Sequence, residues 1–171
     1  GEAGIMSITG EIDGEPMKVG VAVVDITTGL FSSNAILSAL YARERTGNGQ
    51  YIDSTLFTSA IGWLANVGSS YLTTGELPER LGNAHPSIVP YQTFKARDLW
   101  IIIGAGNDRQ FRELCRILNL EHLADDERYA TNPQRVANRD ELIPKLQAVL
   151  ETRDADDWLA EISDAGIPCG P

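Results

Sequence analysis

Residues 91–106, YQTFKARDLWIIIGAG, decide between an all-helical and a mixed fold. Two short runs with aromatic and β-branched side chains flank a turn at Ala96-Arg97-Asp98, so the stretch predicts two short strands, with Trp100-Ile101-Ile102-Ile103 as the buried one. Working outward toward the C-terminus, periodicity predicts helices over about 108–118, 132–152 and 155–165. Asn132-Pro133 signals the start of the second, and Gly166 and Pro168 of the closing AGIPCGP end the third. Residues 93–165 therefore read as a small α+β unit. Toward the N-terminus, residues 75–92 (GELPERLGNAHPSIVPYQ) hold three prolines, two glycines and no period, which marks a linker or a functional loop.

The first 75 residues have a different character. Residues 1–18 are glycine-rich and aperiodic, and read as loop or extended chain. The apolar run Val19–Val24 ends at Asp25, after which Leu30, Ile36, Leu37, Leu40 and Tyr41 recur at helical spacing until RTGNGQ (45–50) stops the helix. A second long helix is predicted within residues 54–75, capped by Asp53 or Ser54. It is apolar nearly all round, with Leu56, Phe57, Ile61, Trp63 and Leu64, so it is expected to be buried in something larger. Two apolar helices with hardly a strand are a poor basis for an independent domain. The first half thus reads as a fragment, or as a chain that needs partners outside this sequence.

Composition limits the function classes. At 171 residues, 43% apolar and 22% charged, the chain is globular in composition and not disordered. The net charge is -10 and no Lys/Arg cluster is long enough to track a phosphate backbone, which argues against a nucleic-acid partner. Cys115 and Cys169 are far apart and lack metal-site spacing, as expected for reduced thiols of a cytoplasmic protein. No apolar stretch approaches the ~20 residues of a membrane span, and the N-terminus lacks signal-peptide character, so no membrane partner is expected. The acidic runs at 124–128 (ADDER) and 154–157 (DADD) lack the interleaved ligands of a calcium loop and read as solvated helix starts, so no metal is expected. Trp63, Trp100 and Trp158 read as core or interface anchors, Cys115 as core and His122 as structural.

One carboxylate stands out. Asp25 closes an apolar run and opens a helix, where the first-turn N–H groups and the dipole favour an anion. For an arbitrary sequence that placement more often means a helix cap than a nucleophile, and one residue can do both. The order Gly20-x4-Asp25-x3-Gly29, then Ile36-Leu37-Ser38-Ala39-Leu40, then Arg45-Thr46-Gly47-x-Gly49-Gln50-Tyr51-Ile52-Asp53, resembles the family III CoA-transferases of the CaiB/BaiF type. Formyl-CoA transferase and the α-methylacyl-CoA racemases share that superfamily. The resemblance continues through ERLGNAHPSIVPYQTF, NDRQF, RVANRDEL and AGIPCGP, and so covers essentially the whole chain.

The resemblance implies an α/β fold. Residues 1–75 would be a mostly helical segment of a large Rossmann-like domain, residues 76–92 a linker or active-site loop, and residues 93–171 a small α+β domain. It implies that the family's longer N-terminal portion and C-terminal return segment lie outside these residues, leaving this piece inactive alone. It also implies coenzyme A as substrate with no tightly bound cofactor, an acyl-CoA donor, a carboxylate acceptor, mildly a dicarboxylate, and an interlocked homodimer. By the same resemblance Asp25 is the nucleophile, passing through a mixed anhydride to an aspartyl-CoA thioester. Gly82, Asn83 and His85 fall where the family has an active-site loop, although the glycines expected after Asn83 are replaced by His85-Pro86-Ser87-Ile88-Val89. His85 reads either as a hydrogen-bond or charge partner for the reacting carboxylates or as an ordinary surface-loop histidine. Two rival readings stand beside the transferase: a racemase using the aspartate as an acid/base, and an inactive interaction module. NDRQF (107–111) departs from the racemases' Glu-Pro-Gln-Phe-like segment and favours the transferase.

Overall fold

Strands β1 (Tyr91–Lys95) and β2 (Trp100–Gly104) form the expected antiparallel hairpin, with Tyr91 opposite Gly104 and Lys95 opposite Trp100. The turn closes through Ala96 N–H donating to the Leu99 carbonyl at 2.8 Å. A third strand that the sequence reading lacked, β3 (Cys169–Gly170), pairs antiparallel with β2. Two residues carry no periodicity to read; Gly104 N–H, donating to the Pro168 carbonyl at 2.8 Å, leads the chain into that strand. Only one side of the sheet is covered. Ile101 and Ile103 are fully buried, whereas Trp100 is 60% exposed and Ile102 37%, so the expectation of a wholly buried strand is corrected to period-2 alternation.

The computed structural model describes residues 1–171 and divides into two units, Gly1–Gly82 and Asn83–Pro171. In the second unit, α4 (Asp108–Ile117) starts at Asn107, whose Oδ1 accepts from Gln110 N–H at 3.0 Å. The Gln110 Oε1 accepts in return from Gly106 N–H at 3.0 Å, and its Nε2 donates to the Gly166 carbonyl. NDRQF is thus a helix start tied to the end of a later helix. After α5 (Glu121–Ala124), the helix expected over 132–152 is two, α6 (Asn132–Ala137) and α7 (Arg139–Leu150), broken at Asn138. Thr131 and Gln134 form a capping box at the start of α6. Helix α8 (Ala155–Asp164) follows Asp154, with Asp156 and Asp157 in its first turn, where carboxylates are favoured. All of the chain's hydrophobic core cluster lies between Val89 and Ile167, with Phe94, Phe111, Leu142, Leu146, Leu150 and Trp158 among its largest members.

The first unit is built from α1 (Val23–Thr46), α2 (Leu56–Trp63) and α3 (Ala65–Thr74). The single long helix predicted over 54–75 is interrupted at Leu64, whose ψ of 10° leaves the helical range. Its cap is Thr55 and not Asp53 or Ser54: the Thr55 hydroxyl accepts from Thr58 N–H at 3.1 Å. Helix α1 ends where Gly47 turns left-handed (φ 74°) and its N–H donates to the Arg43 carbonyl. Helices α1 and α2 are joined by Trp63 Nε1 donating to Thr27 Oγ1 at 3.0 Å, and α1 reaches the loop before α2 through Ser32 Oγ donating to Ser54 Oγ at 2.8 Å. Within the first unit only Ser59 and Ala60 are buried, so the apolar faces of α1 and α2 are not covered by residues 1–82.

A further correction concerns length. Helix α1 has 24 residues and an 18-residue window of mean hydropathy 1.3, long and apolar enough by length and composition to cross a membrane. The sequence reading underrated it because serines, threonines and an asparagine interrupt the apolar run. Two of those residues make the hydrogen bonds just described, which marks a packing face.

Candidate active site

Asp25 lies inside α1, as its third residue, and not ahead of it. The N-cap position is Ala22, no side chain caps the first turn, and Asp25 is the only acidic residue there. Cap-only service is therefore excluded by geometry: the carboxylate is exposed and accepts no capping hydrogen bond.

The carboxylate stands on the wall of a cavity of about 580 Å³. Residues 18–25 form one side, α2 contributes Leu56, Phe57 and Ala60, and the N-terminal turn contributes Ile5 and Met6. The lining is mostly apolar, with Lys18 as its basic side chain and Glu2 and Asp25 as its acidic ones. Lys18 was not singled out from the sequence, since an isolated lysine in a glycine-rich stretch carries no signal.

Gly29 sits one helical turn after Asp25, on the same face. A Cβ at Gly29 would meet nothing within 4 Å, so no packing partner within the chain accounts for a helix-interior glycine. Open backbone beside the carboxylate is what close approach of a ligand requires.

The remaining sequence candidates divide between the units. Gly82 ends the first: its N–H donates to the Gly10 carbonyl at 3.0 Å, its φ is 57°, and a Cβ would come within 3.1 Å of Glu11 Oε2. The adjacent Arg80 donates to the carbonyls of Glu11 and Gly14, at 3.2 and 2.8 Å. Gly82 therefore has a conformational and packing reason to be glycine that involves no ligand. Asn83 and His85 belong to the second unit; Asn83 is exposed and His85 half-buried. The imidazole of His85 stacks on Tyr91, with ring centroids 5.3 Å apart and planes 5° from parallel. Its Nδ1 accepts from Ser87 N–H at 3.2 Å, and its backbone N–H donates to the Tyr91 carbonyl at 2.8 Å.

The thiols offer no alternative nucleophile. Burial pushes Cys115 up to about 12, and raises Cys169 as well, so both stay protonated near neutral pH. What sequence reasoning missed most is the support of the His85 loop. Arg135 is fully buried; its Nε donates to the Val89 carbonyl at 2.7 Å, its Nη1 to the Tyr129 carbonyl and its Nη2 to Asp108, while its guanidinium lies 4.4 Å from the Phe111 ring centroid. RVANRDEL carried that signal as a motif, but nothing in it says where each side chain points.

The chain is thus a mixed α/β one with an exposed carboxylate on the wall of an open cavity. The comparisons with known proteins fix the family: the model of CoA-transferase family III matches residues 1–171, and the chain belongs to that family. It is 47% identical to a succinate–glutarate CoA-transferase of Agrobacterium fabrum, over 100% of this chain and 43% of that protein. Against the mouse succinyl-CoA:glutarate CoA-transferase the identity is 46%, over 99% of this chain and 39% of the relative. Among solved structures, a CaiB/BaiF family protein from Brucella suis superposes with a TM-score of 0.79 at 51% identity, covering 99% of this chain and 45% of that one. The chain thus spans about two fifths of the length of the curated relatives it matches.

Proposed function

We propose that the protein of which these residues are a part moves coenzyme A from an acyl-CoA to a carboxylic acid, with a dicarboxylate as acceptor, and that Asp25 is the nucleophile. The observation that carries this reading is the Asp25 carboxylate, exposed in the uncapped first turn of α1 on the wall of the 580 Å³ cavity. The names of the relatives, which are those of transferases acting on succinate and glutarate, support it over the racemase reading. NDRQF no longer helps to choose between the two, because capping α4 accounts for it.

The steps follow from the chemistry of carboxylates. The Asp25 oxygen attacks the thioester carbonyl, the C–S bond breaks, and a mixed anhydride forms with release of the CoA thiolate. The thiolate attacks the Asp25 carbonyl carbon, giving aspartyl-CoA thioester and the free acid. The acceptor carboxylate then attacks that thioester, and the released thiolate attacks the acceptor's carbonyl, restoring Asp25 and yielding the new acyl-CoA. Each step exchanges one acyl bond for another, so no oxidant, metal or proton donor is consumed. In the same reading Gly29 leaves room beside the Asp25 carboxylate, and Gly82, Asn83 and His85 are carried over as substrate-binding residues on the family resemblance alone. On the family resemblance we place the enzyme in the cytoplasm, as an interlocked homodimer with coenzyme A as substrate and no resident cofactor.

The test is intact-mass spectrometry of the full-length protein incubated with succinyl-CoA and hydroxylamine, beside its Asp25→Ala variant. The expected result is a hydroxamate or CoA adduct on Asp25 in the unsubstituted protein alone. An unmodified Asp25, together with exchange of the α-hydrogen of a 2-methylacyl-CoA into deuterated water, overturns the transferase in favour of a racemase.

A further inference from the structure

We infer that Trp63 is a positioning residue for the proposed reaction: through Thr27 it holds the first turns of α1 against α2 and so sets where the Asp25 carboxylate stands on its cavity. The inference rests on the role proposed for Asp25 and adds the group that places it. All the residues concerned belong to the first unit.

Two stripes meet along this helix pair. Val23, Thr27 and Phe31 follow one another at four-residue spacing on α1, and Leu56, Ala60 and Trp63 at four- and three-residue spacing on α2, so each set shares a helix face. At one end of the seam Val23, Leu56 and Ala60 line the cavity. One turn further along α1, Trp63 Nε1 donates to Thr27 Oγ1 at 3.0 Å, the one side-chain hydrogen bond between α1 and α2. A turn beyond that, the helices pass close enough that a Cβ on Gly62 would rest 3.9 Å from the Phe31 ring.

The bond has weight because little else fixes the pair. The first turn of α1 has no side-chain cap, and in the whole first unit only Ser59 and Ala60 are buried. A close-packed interior resists a shift of one helix past another, and this seam has no such filling. Thr27 follows Asp25 by two residues, about 3 Å along the helix axis, so a displacement at the hydroxyl reaches the carboxylate almost undiminished. Attack on a thioester carbonyl needs the oxygen held in line with its target, and a misplacement of about 1 Å costs up to about a hundredfold in rate. A contact that served stability alone could fall anywhere on the 24 residues of α1. This one falls within a turn of Asp25 and joins it to the helix that supplies Leu56, Phe57 and Ala60 to the cavity.

The experiment is a double-mutant cycle in the full-length enzyme, with capture of CoA from succinyl-CoA on Asp25 followed by rapid quenching and intact-mass spectrometry. The variants are Trp63→Phe, which keeps a ring without the donor, Thr27→Val, which keeps the shape without the acceptor, the two combined, and Thr27→Ser. Either of the first two is expected to slow capture at saturating succinyl-CoA about tenfold. The KM for succinyl-CoA should stay within about twofold, and the thermal midpoint should fall by no more than about 3 °C, the scale of one exposed hydrogen bond. The double variant should lose no more than either single one, and Thr27→Ser, which keeps an acceptor oxygen, should recover most of the rate. Multiplied losses in the double variant, or a loss that follows melting temperature and KM alike, would overturn the inference and leave an ordinary interhelical contact. Capture on Asp25 at full rate in both single variants sinks this inference and leaves the transferase reading intact. Absence of any adduct on Asp25 in the unsubstituted protein sinks both.

Discussion

The two units of this chain use similar amounts of apolar sequence in opposite ways. In Asn83–Pro171 the helices α4, α7 and α8 and one face of the sheet surround a shared core in which Phe94, Leu142, Leu146 and Leu150 are completely buried. In Gly1–Gly82 the helices are as well defined, yet Leu30, Leu37 and Tyr41 of α1 are each at least 60% exposed. Caps, a left-handed glycine and helix propensity are enough to start and stop a helix; they do not bury it. The contrast also separates chemistry from stability. The proposed nucleophile is on the unit without a core, where nothing in the chain's packing depends on its side chain.

The strongest way to break the comparison is therefore Asp25→Ala. It should reduce CoA transfer by the full-length protein by on the order of 10⁴-fold, as loss of a nucleophile does, while leaving the thermal midpoint unchanged. A matching fall in melting temperature would show that Asp25 is structural. Next in size is a pair of truncations in the 171-residue chain, followed by urea denaturation. Leu146→Ala should cost about 2–5 kcal/mol, because it opens a cavity in a packed core. Leu37→Ala should stay within about 0.5 kcal/mol. Equal losses would mean that the α1 face is buried after all, and the contrast would fail.

Gly29→Ala sharpens the same point with a smaller effect. Removing a helix-interior glycine at a position with open space should stabilise α1 by about 0.4–1 kcal/mol, and yet raise the KM for the acyl-CoA if substrate must approach the backbone there. Stabilisation with unchanged kinetics would remove Gly29 from the site. The smallest effect is expected at Asp126, whose hydrogen bonds from the Arg128 side chain and backbone hold its carboxyl down at about 2. A folded-state value below the ordinary carboxylate range means that the contribution to stability is complete above about pH 4 and is lost as pH falls toward 2. Acid unfolding of Asp126→Asn should accordingly be less steep across that window than that of the unsubstituted chain, and identical profiles would show that the exposed pair contributes nothing.

Much of the architecture was legible beforehand, and the reasons are local. The hairpin of 91–104 followed from two β-rich runs around a turn, and α4 and α8 from their start and stop residues. The breaks at Leu64 and Asn138 were not legible, because neither position holds a proline or glycine and the periodic pattern continues through both. Strand β3 was too short to have a period. For the site, Asp25 was found through the ordered motif it belongs to, but its depth in the helix was misjudged by three residues, since Val23 and Val24 resemble the preceding strand-like run more than a helix start. Lys18 and the clamp on the His85 loop were invisible. A residue at 135 acquires meaning for one at 89 only when the chain brings them together.

By itself, then, the sequence determined the family, the mixed α/β class and the carboxylate to suspect, because motif order and local periodicity are properties of neighbours along the chain. The tertiary structure alone decided that Asp25 stands unpaired over a groove, that Gly82 answers to Glu11 and Gly10, and that buried Arg135 holds the Val89 carbonyl. Those are matters of which polar groups find partners across dozens of residues, and hydrogen bonding over such separations is fixed by packing.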